Sequence, residues 1–190
     1  MFDYLGVLIS IILGLALTHL LRGWGRLIQL RHTARIYWVQ VVWSLNIVIY
    51  VLGVWWGMFW WKHLQVWTFQ EFVFLTGYAI VLFMLAFVLC PMEPREDADF
   101  EAFFYDNKQW FFGIQLLAFL IDIPETLAKG VAHIRDTPRE YVVLIPIILA
   151  LNVIGLCTRN RRVHAALCLV WLAAIVSYLV FTSLDRIVTA

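Results

Sequence analysis

The sequence predicts an all-helical integral membrane protein: a six-transmembrane-helix bundle forming a single membrane domain over 1–190, with a candidate 3+3 inverted repeat. Three observations predict it. The 190 residues are 63% hydrophobic, whereas a soluble domain is nearer half apolar, and the mean hydropathy is +0.84. Charged residues make up only 14%, against a usual quarter, and they collect between the apolar runs. Six of those runs approach or exceed the roughly 20 residues that a helix needs to cross a bilayer. They lie at about 4–21, 36–61, 70–90, 109–123, 140–158 and 163–184.

The first run, Tyr4 to Leu21, carries no charge. Gly6, Ser10, Gly14 and Thr18 recur at every fourth position. Each such step turns a helix about 40° past a full turn, so the four form a slowly spiralling row. Small residues in a row let another helix approach closely, which predicts a packing face. The row continues into Arg22 and Arg26, and these with His19 are a candidate contact for a lipid headgroup. Basic residues under a span also simply follow the positive-inside rule, which is the plainer reading. No basic region precedes the run and no small-x-small site follows it, so it is expected to be retained as a helix.

The second run ends in Trp55, Trp56, Trp60 and Trp61, with Trp67, Phe69 and Phe72 just beyond; these predict an aromatic belt at one interface. The third stops at Pro91 and Pro94. The fourth is short. Before it, Phe100, Phe103, Phe104, Asn107 and Phe111 follow helical spacing, with Glu101, Asp106 and Lys108 on other faces. That pattern predicts an interfacial amphipathic segment at 99–108 leading into the span, and Pro124 is expected to end the span. The fifth and sixth runs are separated by the basic stretch Arg159 to Arg162.

Six spans place both termini on one side. The connections at 22–35, 91–108 and 159–162 hold nine Lys or Arg, against five on the other side. The excess makes the first group cytoplasmic, with both termini periplasmic in a bacterial inner membrane. The three cysteines, Cys90, Cys157 and Cys168, show no metal-ligand spacing and are expected to be free thiols.

The repeat rests on three matches. Gly6–Gly23 and Gly113–Gly130 are equally long and close alike. Arg35-x-Tyr37 matches Arg139-x-Tyr141, and Leu45-Asn46-Ile47-Val48 matches Leu151-Asn152-Val153-Ile154. Inverted repeats are common in transporters, with binding near the midplane; shared apolar composition is the competing explanation.

Inside the spans, Asn46, Gln115 and Asn152 fall near the middle of their segments, with Ser10 and Ser177 within about two turns of the same depth. They are the candidate pathway or binding residues. The plainer alternative is interhelical hydrogen bonding, worth about 0.6 kcal/mol on average. Glu71, Asp122 and Asp185 sit toward span ends, which argues against proton coupling. No arginine ladder, potassium-filter sequence, HExxH, phosphate loop or nucleophile–base pair is present, so neither a voltage sensor nor an enzyme is expected. His19 with His164, or His63 with His133, are poor haem pairs because they sit at span ends. No metal or cofactor is expected, and a net charge of +1 argues against nucleic acid.

Three functions follow in order of support: a channel or carrier for a small solute or ion; a non-catalytic scaffold or accessory subunit; and a haem- or lipid-binding membrane protein. The expected partners are the lipid bilayer and either further copies of the chain or another membrane protein.

Overall fold

The computed structural model describes the backbone of residues 2–63, 67–129 and 139–188, and the side chains of 4–62, 67–129 and 145–177. All regular structure among these residues is helical: α1 (Phe2–Gln29), α2 (Trp38–Gly57), a 3-10 helix (Met58–His63), α3 (Phe69–Leu89), α4 (Phe100–Ala128), α5 (Arg139–Cys157) and α6 (Arg161–Val188). Four of these segments, Tyr4–Gln29, Trp38–Lys62, Phe69–Leu89 and Phe100–Ala128, are long and apolar enough to cross a membrane. The predicted outer loop through Pro138 falls largely outside the described residues, His133 included. The side chains of His63, Arg139, Tyr141, Asp185 and Arg186 lie outside them as well.

Neighbouring helices pack in the order α1, α3, α4, α5, α6, α2 and back to α1, and α2 also touches α3 and α4. Helix α1 turns Leu5, Ile9, Leu13, Ala16 and Leu20 inward, the stripe that 3.6 residues per turn produces. Its helix runs past the predicted end at Leu21. The extra turns are anchored by Trp24 Nε1, which donates to Ser44 Oγ on α2 (2.6 Å). Helix α3 begins with a capping box between Thr68 and Glu71.

The aromatic core knits α2 to α4 and α6. The Trp43 ring meets the edges of Phe111 and Phe112 at 5.2 and 5.3 Å, and Trp171 at 6.0 Å. Tyr50 stacks on Phe119 at 5.0 Å.

Two expectations about α4 are corrected. The stretch 99–108 is no separate interfacial segment; it is the opening of α4, and Phe100, Phe104 and Lys108 are buried in the bundle. Asp99 caps its start by accepting from the amides of Glu101 and Ala102 (2.9 and 3.0 Å). Nor does Pro124 end the helix, which continues to Ala128. Glu125 draws that last turn inward, accepting from Trp61 Nε1 at 2.7 Å and pairing with Lys129 at 2.9 Å.

The three connections predicted to share one side meet at one end of the bundle. Arg35 N donates to Ala98 O (3.0 Å), Phe100 N donates to Arg35 O (3.1 Å), and Arg161 pairs with Glu101. Helix-end carbonyls there are capped by side chains from neighbours, as buried ends require. Gln40 Nε2 donates to Leu89 O (2.6 Å) and His19 Nε2 to Cys90 O (3.1 Å). Lys108 Nζ reaches Leu156 O at the end of α5 (2.6 Å).

Candidate functional site: a polar layer inside the bundle

The midspan amides come to one level because of how the aromatic core sets the helix registers. Phe112 lies against Gly155. From that contact α4 and α5 run antiparallel, so one turn onward along α4 and one back along α5 sets Gln115 across from Asn152. The pairs Trp43–Phe112 and Tyr50–Phe119 share the same residue offset. That offset makes α2 and α4 parallel and levels Asn46 with Gln115. Asn46 Nδ2 then donates to Cys168 O on α6 (3.0 Å).

All three amides are buried: Asn46 and Gln115 at 0% exposure, Asn152 at 1%. Asn152 Nδ2 turns back onto its own helix at Ile148 O (2.8 Å). Several polar atoms here have no hydrogen-bond partner among the described residues: Asn46 Oδ1, Asn152 Oδ1, both polar atoms of Gln115, and the indole Nε1 of Trp43 and of Trp171. A buried polar group left unpaired costs about 1–3 kcal/mol. The set offers donors from two indoles and one amide, acceptors from three carbonyls, and no charge. Chemically it suits water or a small, neutral, hydrogen-bonding molecule.

Ser10 and Ser177 are not part of this layer. Ser10 Oγ accepts from Trp55 Nε1 (3.1 Å), and Trp55 is about 13 Å beyond Asn46 along α2. Ser177 is exposed on α6. Apart from the contact of Ser10 with Trp55, the small row of α1 is turned outward among the described residues. Ser10 and Thr18 are exposed, and a Cβ built on Gly6 or Gly14 meets nothing within 4 Å. Thr18 Oγ1 donates to Gly14 O (2.7 Å). Around the row stand the exposed side chains Val7, Ile11 and Leu15.

Of the candidate headgroup residues, His19 is turned inward, stacked on Phe87 (5.2 Å) as well as bonded to Cys90 O. Arg22 is exposed. Arg26 donates to Gln29 (3.1 Å) and edges a narrow crevice with Gly23, Gln40, Ser44 and Cys90. His164 is enclosed by Phe104, Tyr105 and Phe112, and its Nε2 donates to Thr158 O (3.1 Å). Among the described residues no group of three His, Cys, Asp or Glu could hold a metal ion.

Sequence reasoning missed a polar seam on α4. Lys108, Gln115, Asp122 and Lys129 stand seven residues apart, so they share one slowly turning face. Toward the α2–α3 end, Tyr78 OH donates to Asp122 Oδ1 (2.9 Å) and meets Tyr50 OH (2.9 Å). Next to it Glu125 and Lys129, at 4% and 8% side-chain exposure, form a buried ion pair under Trp61. The seven-residue spacing was the available signal; it is hidden when each span is read only for its central residue.

No protein-family model, no curated protein and no solved structure matches the chain. The functional reading therefore rests on the geometry of its own residues.

Proposed function

We propose that the chain crosses the membrane six times, with the Arg35, Asp99 and Arg161 end cytoplasmic and both termini periplasmic in a bacterial inner membrane. We further propose that it conducts or carries a small uncharged polar solute through the layer of Asn46, Gln115 and Asn152. The observation that carries this reading is Gln115: fully buried, level with the other two amides, and unpartnered at both polar atoms. A side chain whose only role was to hold helices together would be bonded to one of them. The proposal does not lean on an inverted repeat, since the matched residues Asn46 and Asn152 bond differently, one across to α6 and one to its own helix.

Reconstituted protein tests it. Liposomes containing the chain should re-swell faster in urea or glycerol gradients than empty ones, and Gln115→Leu should return the rate to that of empty liposomes while the protein stays folded. Equal rates with and without the wild-type chain sink the proposal. Topology is checked separately at Cys157, which is exposed at the loop end: a membrane-impermeant maleimide should label it in inverted vesicles and not in intact spheroplasts.

A second reading, a membrane scaffold or accessory subunit, is favoured by one feature. Of the row, Gly6, Gly14 and Thr18 are presented outward, where a helix of another chain can approach closely. It predicts a stable complex on mild extraction and no solute flux.

A further inference from the structure

A second site lies at the loop end, away from the amide layer. An open surface depression of about 320 Å³ is lined by Arg35, Asp99, Glu101, Tyr105, Arg159 and Arg161. Its arginines come from two different connections, Arg35 before α2 and Arg159 with Arg161 around the start of α6, and both meet the first turns of α4. Two of them are committed: Arg35 pairs with Asp99 at 3.2 Å, and Arg161 pairs with Glu101. No carboxylate pairs with Arg159 among the described residues. A second cation without a carboxylate partner among the described residues, Lys108, is bonded to the carbonyls at the end of α5. The lining thus sets three arginines against two carboxylates, an excess of positive charge.

We infer that this pocket binds a phosphate oxyanion, held by Arg159 with Arg161 and Arg35 at the rim. The volume sits at the lower end of the range for small-ligand pockets, enough for a phosphate and a small substituent. Guanidinium groups match phosphate oxygens in paired hydrogen bonds. The depth fits a lipid headgroup: exposed Trp38 opens α2 three residues after Arg35, and exposed Trp110 lies just over a turn beyond Tyr105 on α4, where aromatic side chains mark the membrane interface.

The test compares full-length wild type with Arg159→Gln and Arg159→Lys in detergent. Melting temperature and retained lipid, by native mass spectrometry, are read with added phosphatidylglycerol, phosphatidylcholine or inorganic phosphate. Phosphatidylglycerol should stabilise the wild type, and Arg159→Gln should weaken that binding about fivefold, the value of one basic residue near an anionic surface. Arg159→Lys should keep most of it. Protection by phosphatidylglycerol alone assigns the pocket to a lipid headgroup; equal protection by inorganic phosphate assigns it to a free phosphate. Among the described residues the Arg159 side chain makes no hydrogen bond, so melting temperatures without additive should coincide. Identical responses of wild type and Arg159→Gln to every additive overturn the inference, whatever the outcome of the flux assays.

Discussion

Gly155 lies directly against the ring of Phe112: a Cβ at position 155 would stand 2.5 Å from Phe112 Cε1. The ring cannot step aside, because Trp43, Phe111 and His164 surround it. This contact brings α5 close to α4 and sets the register that puts Asn152 opposite Gln115. Gly155→Ala should therefore destabilise the fold by about 1–3 kcal/mol, the usual cost of overpacking. Thermal unfolding in detergent measures it. Adding Phe112→Leu should recover part of the loss, and recovery would locate the strain at this contact.

Gly6 and Gly14 present the opposite case. Open space lies beyond both. Replacing both with leucine should leave the melting temperature of the isolated chain unchanged or slightly raised, since glycine is a poor helix former. If α1 packs on another chain, the same pair of changes should disrupt that assembly, seen as a smaller complex by light scattering.

Lys129→Met should be among the most damaging single changes near the α2–α3 end. It leaves Glu125 buried without its cation, a loss of about 3–5 kcal/mol for a broken buried pair. Glu125→Gln combined with Lys129→Met should cost clearly less, because no uncompensated charge remains. Equal losses in the single and double variants would mean that the pair is solvated rather than buried.

Leucine in place of Gln115 should raise the melting temperature, in contrast to most changes at buried positions. It removes two unpartnered polar groups, each carrying a penalty of about 1–3 kcal/mol. A marked fall in stability instead would show that Gln115 has a bonding partner holding it in place.

Asp99 sets an acid limb on stability. The amide of Ala102, then that of Glu101, with Arg35 and Arg161 nearby, hold its carboxyl below the usual carboxylate range. A depressed folded value contributes stability that is fully present above the unfolded value of about 3.9. That contribution fades as pH falls through the folded value. Asp99→Asn should flatten this part of the pH–stability curve and leave the curve unchanged in shape near neutrality.

The helices were legible in the sequence because apolar length is a strong signal. The residues at 4–21 and 70–90 announced α1 and α3 with little ambiguity. The ends were less legible, for reasons that lie in tertiary contacts. Arg22 to Gln29 reads as a basic loop until Trp24 is seen to bond Ser44. Pro124 reads as a stop until Glu125 and Lys129 are seen to pair inside the bundle. The three amides could be placed near midspan by counting, and the packing of Phe112 on Gly155 gives Gln115 and Asn152 their shared level. Ser10 and Ser177 passed the same count but point elsewhere, because depth says nothing about which side of a helix faces the neighbours. Lys108 and His164, both buried at the loop end, read as ordinary boundary residues because their partners are backbone carbonyls, which have no sequence signature.

The seam on α4 has a mechanical consequence. From Lys108 to Lys129 the helix rises about 31 Å, close to the roughly 30 Å hydrocarbon thickness of a bilayer. One lysine is tied to the end of α5 and the other to Glu125 beneath Trp61. A helix moored at both ends in this way cannot slide or change its tilt without breaking a buried polar contact. On the proposed conducting role, α4 is the wall with most to lose by moving, and opening of the amide layer is expected from α2, α5 or α6.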